Sequence, residues 1–493
     1  MQFRAFWRCV LAVVLVLSGG LALIMAWNTF QLRAAYTPTA APPPPTIDTA
    51  AVRHLAEAVR VPTISLDSAG GAPGHFDQLH ALMRSQFPGV FETLNAEIIS
   101  DHSLLLTWEG RNPERAPILL LGHLDVVPIE PGSEAAWTHP PFSGQASQGY
   151  IWGRGTLDDK ASVWAQLEAI ERLLMRDFVP EQTVYFAFGH DEETGGTHGA
   201  QRMAELLEQR DVHAEFTLDE GSAITRDLVA GVDIPIASVM VGEKGYASLR
   251  LTATGDAGHS STPSRDTAIG RLARGLARLD AQPLPARIID PVGTMLDQLA
   301  PHMGSFNRFA IANRWLLEPI LLDSLAASRT TNALIRTTTA PTMLRAGVKD
   351  NVLPSRATAV INFRILPGQT IDSVTRAVAD IIDDPGVTIE PMDAFGNNPP
   401  PLSDPDAPAF HRIRRAIHTT FPEAAVASGI ILATTDNRHY SRVRDNAYYF
   451  APFVYTPDVA DRIHGTNERI AVGEYMRMIG FYEALLGSSS GND

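Results

Sequence analysis

The chain has 493 residues, 45% hydrophobic and 19% charged, with 37 Gly and 35 Pro. At about 150 residues per domain the length allows two or three units, and the composition is that of a loop-rich globular protein rather than a disordered or fibrous one. The 40 Lys and Arg against 55 Asp and Glu leave a formal charge of −15, which excludes nucleic acid or an anionic membrane surface as the main partner, because both need a basic footprint. The single cysteine, Cys9, allows no intrachain disulfide, so any metal site must be built from His, Asp and Glu.

From Cys9 to Trp27 no residue is charged, a stretch of about 28 Å as a helix and close to the thickness of a bilayer core. Arg4 and Arg8 precede it and predict a cytoplasmic N-terminus with the rest of the chain exported to a periplasmic, extracellular or luminal space. Residues 1–33 therefore read as a signal anchor. A cleaved signal peptide is the alternative, with Gly20-Leu21-Ala22 as a small-x-small site that would release a secreted protein. Residues 34–50, with Pro42 to Pro45 consecutive, read as an extended linker holding the body off the membrane.

Beyond residue 50, short apolar runs alternate with helical stretches, which predicts an α/β fold with a mainly parallel sheet and helices on both faces. PILLLGHLDVVP (117–128), TVYFAFGHDEETGG (183–196) and AEFTLDEGS (214–222) each read as a buried strand ending in acidic residues. Between the first two, a Gly-rich turn in GRGTLDDK leads into an amphipathic helix. Ligands in open α/β sheets bind beyond the carboxyl ends of the strands, so these acidic loops should converge on one crevice.

The pattern changes near residue 244. An alternating strand around SLRLTAT, a helix over 266–279, strands at PTMLRAG and RATAVINFRIL, a helix over 371–382 and a strand at GVTIEP give the βαββαβ order of a ferredoxin-like module. We assign residues 51–243 and 397–493 to a catalytic domain and 244–396 to an inserted α+β lid or dimerisation domain. Within it, 283–340 forms an extra helical insertion, where Trp315, Leu316, Leu317 and Ile320 fit either core packing or an acyl-chain groove.

Each polar motif has an ordinary explanation when taken alone. His123 and Asp125 fit a capped turn, Asp158 and Asp159 a helix N-terminus favoured by the dipole, Asp219 an N-cap, and His464 a surface histidine. Glu192 and Glu193 are harder to explain, since adjacent carboxylates at a buried strand's mouth repel one another unless a cation sits there. Together His123, Asp158, Glu193, Asp219 and His464 supply two imidazoles and three carboxylates, enough for two divalent cations if one carboxylate bridges. Asp125 would then hold the His123 imidazole in its tautomer, and Glu192 would remain near the metals as a general base.

The runs GHLDVVP, GRGTLDDK, HDEETGG, LDEG, GHSSTPS and the late HGTNE resemble, in this order, the di-zinc exopeptidase family of aminoacylase, carboxypeptidase S and succinyl-diaminopimelate desuccinylase, over roughly residues 50–485. TTDNRHY (434–440) and the N-terminal apolar segment are most similar to the carboxypeptidase S and N-fatty-acyl-amino-acid hydrolase branch. The resemblance implies two Zn²⁺ bridged by Asp158, with Glu193 and His464 on one and His123 and Asp219 on the other, Glu192 as general base, and a cis Asp158-Asp159 bond. It also implies that His259 stabilises the oxyanion from a dimer partner's lid and that Arg364 grips a free substrate carboxylate. Asn332, Arg438 and His439 are further pocket candidates. Ala161 departs from the Gly that many relatives carry after DDK, which removes no ligand.

The expected activity is hydrolysis of an amide next to a free carboxylate, on a peptide as a carboxypeptidase or on an N-acyl amino acid. An aminopeptidase would leave Arg364 without a task. A membrane-tethered binding protein that had lost catalysis would show a damaged ligand or base set, and this set is complete.

Overall fold

A computed structural model describes residues 2–34, 36–68, 70–229, 231–392 and 396–487. The largest sheet has ten strands. At its centre Ile118–His123 pairs in parallel with both Val184–Gly189 and Ala214–Asp219, and Arg444–Tyr449 adds in parallel to the latter. Asn95–Ile99 and Ser103–Trp108 form an antiparallel hairpin at one edge. All six residues of Ile118–His123 are buried, because helices cover both faces. A strand enclosed in this way reads as a continuous apolar run instead of an alternating one.

The helix Lys160–Leu174 packs under this sheet with the C-terminal helix Val472–Gly487. Its Trp164 is fully buried and donates its indole N–H to Gln86 Oε1 at 2.8 Å; truncation to Ala would cost about 3–5 kcal/mol by the usual penalty for a large aromatic. Lys160, also buried, donates Nζ to the carbonyls of Ala58 (3.0 Å) and Val61 (2.6 Å), which ties the start of this helix to the C-terminal end of the helix Thr49–Val59.

A second sheet of four antiparallel strands runs in the order Thr338–Ala346, Arg356–Ile365, Gly245–Thr254, Val387–Pro391. Helices Ala268–Ala281 and Ile371–Ile382 cover one face around Leu249, Leu251, Ile361 and Phe363. This is the ferredoxin-like order that the strand and helix pattern predicts. Residues 283–340 add four helices, Asp290–Leu299, Ser305–Ala312, Arg314–Ala326 and Arg329–Ile335. The first does not stay with the small sheet. It packs on the strand Ala425–Ile431 of the large one, where Gln298 Oε1 accepts from Ser428 N at 2.6 Å.

At the N-terminus α1 spans Gln2–Gln31, and Phe6–Gln31 is long and apolar enough to cross a membrane. The residues that follow this helix, expected as an extended spacer, contact the body. Thr39 N donates to Pro422 O (2.9 Å), Tyr36 stacks on His418 at 3.7 Å between centroids, and the last turns of α1 touch the body directly through Asn313. Beyond the prolines Arg172 Nη2 donates to Asp48 Oδ2 at 2.9 Å, so both ends of the Pro-rich stretch are held against the body.

Candidate active site

The acidic loops converge at the carboxyl ends of the central strands. His123 ends its strand in a buried position. Its Nδ1 lies 3.0 Å from the Asp125 carbonyl and 3.3 Å from Asp125 Oδ1, which turns Nε2 outward to sit 2.8 Å from Asp158 Oδ1. The other oxygen, Asp158 Oδ2, lies 3.0 Å from His464 Nε2, which is also 3.2 Å from Glu193 Oε2. One carboxylate therefore faces both imidazoles, one oxygen to each.

Two donor groups result, His123 with Asp158 and Glu220, and Asp158 with Glu193 and His464, the ligand atoms of each lying within 4.8 Å of one another. Glu193 Oε1 is buried without a hydrogen-bond partner. Buried carboxylate oxygens are rarely left so, and an orphaned oxygen among clustered carboxylates and imidazoles fits a divalent cation.

The backbone around these groups is held from below. Asp125 accepts from Glu192 N (3.1 Å), Glu193 N (3.2 Å) and Ser65 Oγ (2.8 Å), which fixes the turn carrying both glutamates. Glu468, fully buried, accepts from Gly155 N and Leu157 N (both 2.9 Å) and from Arg154 Nη1 (2.5 Å). It thereby clamps the turn that presents Asp158. Gly155 sits at φ +88 in that turn, and a Cβ there would approach Val126 Cγ1 to 2.8 Å. The Asp158-Asp159 peptide is cis.

The electrostatics follow from burial and crowding. Burial alone would raise Asp158, but hydrogen bonds from His123 and His464 outweigh it and hold the carboxyl well below its usual range. His464 is pushed up to about 10 by Asp158 and then Glu193. Glu192 is raised well above the carboxylate range, first by burial, then against His123 by the neighbouring charges of Asp436, Glu193 and Asp158. Among the described residues no hydrogen bond reaches the Glu192 carboxylate, so it is available to a water or substrate in the cleft.

Asp219, expected as a ligand, is turned away from the cluster in this structure. Its Oδ1 accepts from Glu220 N and its Oδ2 from Asn437 N, both at 3.0 Å. Glu220 Oε1 instead lies 3.8 Å from His123 Nε2. The strand ends at Asp219, and successive side chains point to opposite faces, so the next residue faces the cluster. The signal was present in LDEG, but the sequence does not say which acid faces inward.

A cleft beside the cluster, about 340 Å³, is lined by Glu192, Glu193, His464, Tyr246, Arg364 and Arg438 among others. Arg364 reaches it from the small sheet, its guanidinium 4.8 Å over the Tyr246 ring. His439 lines an adjoining cavity of about 520 Å³, with Nε2 2.9 Å from Gly195 O. Arg438 Nη2 donates to the same carbonyl at 2.7 Å. Two expected residues are not brought to the cluster in this arrangement. Asn332 lies on the Arg329–Ile335 helix and lines neither cavity. His259 is exposed on a two-residue strand, with Nδ1 2.8 Å from Ser261 Oγ, in a separate two-stranded ladder with Val352–Leu353. Trp315, Leu316 and Ile320 are exposed, so they form neither core nor a groove at this site.

The chain is similar to several known proteins over most of its length. It is 39% identical over 443 residues to probable carboxypeptidase S-like 2 of Dictyostelium discoideum, covering 88% of this chain and 84% of the relative. It is 38% identical over 431 residues to the N-fatty-acyl-amino acid synthase/hydrolase PM20D1 of Bos taurus, covering 87% and 85%. Among solved structures, an M20 family metallo-carboxypeptidase, Sso-CP2 from Sulfolobus solfataricus, superposes with a TM-score of 0.63 at 18% identity, covering 89% of this chain and 99% of that one. Human carnosine dipeptidase 1 gives 0.58 at 15%, covering 94% and 98%; at such identities the likeness concerns the fold alone. The family profile described as Peptidase family M20/M25/M40 matches residues 119–488, and the chain belongs to that family.

Proposed function

We propose that the protein is a zinc-dependent amidohydrolase that cleaves an amide bond next to a free carboxylate, with His123, Asp158, Glu193, Glu220 and His464 as ligands of two ions. The observation that carries this reading is the Asp158 carboxylate, which turns one oxygen to each histidine beside a Glu192 whose carboxylate, among the described residues, accepts no hydrogen bond. Three ligand carboxylates against two dications leave a net charge of about +1, suited to an anionic substrate. Bound metal ions supply a polarised water and positive charge for the oxyanion that develops.

The chain's own residues carry the remaining work. Glu192 takes the proton from the attacking water at its carboxylate and returns it to the leaving amine. Its raised proton affinity suits the second role, and a neighbouring cation would lower it toward the first. Arg364 grips the substrate carboxylate with its planar fork, and Tyr246 holds the guanidinium in place from one side. Asp125 positions both His123 and Glu192, and Asp219 positions Glu220. The module at 244–396 acts as a lid, and His259 reaches the oxyanion only when that lid closes or when a second copy supplies it. Residues 1–33 anchor the body at a membrane, outside the cytoplasm.

Two substrates fit this chemistry, a peptide trimmed from its C-terminus and an N-acyl amino acid. Both remain in the proposal because carboxypeptidase S-like proteins and N-fatty-acyl-amino acid synthase/hydrolases are similar to this chain at nearly the same identity and coverage. Hydrolysis by the zinc-loaded chain of an N-blocked dipeptide and an N-long-chain-acyl amino acid with the same C-terminal residue separates them. Cleavage of neither would reject the hydrolase reading.

A further inference from the structure

The helices Ser305–Ala312 and Arg314–Ala326 are left unused by the proposed chemistry, and their surface is unusual for this chain. Phe306 (75%), Trp315 (58%), Leu316 (44%) and Ile320 (59%) stand exposed on neighbouring turns. At about 100° per residue, Trp315, Leu316, Pro319 and Ile320 share one arc of the second helix. Its opposite side, with Leu321 and Leu325, packs inward against Leu296 and Ile311. Exposed apolar groups clustered in this way mark a surface that meets something.

The same helix pair is seated against α1. Asn313, fully buried between the two helices, donates through Nδ2 to Met25 O (3.1 Å) and Thr29 Oγ1 (3.3 Å), and its Oδ1 accepts from Asn28 Nδ2 at 3.3 Å. Next to this contact an apolar groove of about 500 Å³ is lined by Ala22, Met25, Ala26 and Phe30 of α1 and by Phe309, with Arg308 at its side. About 20 helical residues cross a bilayer core, so a span starting after Arg8 leaves the hydrocarbon near Trp27. The contact with the body begins at Ala22, a turn or more inside that boundary. A body gripping α1 at this height cannot stand clear of the lipid.

We infer that the helix pair 305–326 docks into the outer leaflet beside α1, with Phe306, Trp315, Leu316 and Ile320 in the headgroup–acyl boundary and lipid chains in the groove. The partner is a zwitterionic phospholipid surface. Arg314 is paired with Asp297 and the chain carries −15 overall, so apolar insertion rather than charge attraction drives the contact. Trp315 suits the place, since an indole combines an apolar body with a polar N–H. The inference rests on the reading of α1 as a retained anchor.

The test uses the full chain reconstituted in phosphatidylcholine vesicles. An environment-sensitive fluorophore is attached at the native Cys9, the only cysteine, or, with Cys9→Ser, at Phe306→Cys, Ile320→Cys or the exposed control Met175→Cys. Lipids spin-labelled near the headgroup or deep in the acyl chain serve as quenchers. Shallow quenching at 306 and 320 should exceed that at 175 by about twofold or more, as expected for side chains roughly 5–10 Å into the interface. Quenching at 306 and 320 no greater than at 175, while Cys9 at the start of the span is quenched by the shallow label, would overturn the inference and leave the anchor standing. No quenching at Cys9 by either label would remove the anchor and the inference with it. A blue shift at 306 and 320 without lipid quenching, accompanied by cross-linking between chains, would show that a second copy covers this face and would also overturn it.

Discussion

Glu220 and Asp219 are neighbours of the same charge, and the structure gives them opposite tasks, so exchanging each carboxylate for an amide separates them. In Glu220→Gln the group 3.8 Å from His123 Nε2 loses its charge. Outer partners of metal ligands are worth about 10–100-fold in metal affinity, and loss of a direct ligand should exceed that, with one ion lost at micromolar free zinc. The metal-free protein should become more stable, because Glu220 is held well above the normal carboxylate range by burial and then by the charge of Asp158. In Asp219→Asn one oxygen becomes an NH₂ that must face a backbone N–H, either of Glu220 or of Asn437. A buried hydrogen bond turned into a clash of donors costs about 1–3 kcal/mol. Metal affinity should fall no more than the 10–100-fold expected of a positioning residue. Elemental analysis after equilibration in buffered zinc, with thermal melts of the metal-free proteins, reads both quantities. If Asp219→Asn loses an ion that Glu220→Gln retains, the assignment of inner and outer roles is wrong.

Further outcomes follow from the same geometry. Glu468→Gln weakens the clamp on the Asp158 turn and leaves Arg154 buried beside a neutral partner; breaking a buried pair costs about 3–5 kcal/mol, visible as a lower denaturation midpoint with an unchanged slope. Arg364→Ala should raise KM for substrates with a free carboxylate by an amount equivalent to about 2–5 kcal/mol, while an amidated analogue should be as poor a substrate for the variant as for the parent. Glu243, fully buried, is raised from 4.5 to about 8, mainly by burial. The folded state therefore binds a proton that the unfolded state lacks between these values, and stability should fall as pH rises from about 4.5 to 8 and then level off. Glu243→Gln should flatten that part of the curve; an unaltered curve would mean that another group titrates there.

Much of this was legible because burial on both faces leaves a plain mark. The three acid-tipped strands, the helix after the Gly-rich turn and the βαββαβ order were all visible as apolar runs of the right length. Ile371–Ile382 begins at Thr370 with a capping box and ends where its periodicity does. What the sequence hid depends on phase or on distance. The choice between Asp219 and Glu220 turns on the residue at which a strand stops. His259 is a question of how far one sheet stands from another, and no local pattern encodes that. Trp315, Leu316 and Ile320 have the spacing of a packed helix face, yet among the described residues nothing packs over them. Glu468 lay in a motif noticed for His464, but its three hydrogen bonds join segments more than 300 residues apart.

The most direct test is Glu192→Gln, measured on whichever of the dipeptide and acyl-amino-acid substrates the parent cleaves. An amide cannot accept and return the proton, so turnover should fall by about 10²–10⁴-fold, with both ions still bound and the melting temperature equal or higher. Turnover within a few-fold of the parent at full metal content would contradict the account, since the glutamate assigned as the proton acceptor would then have no part in the reaction.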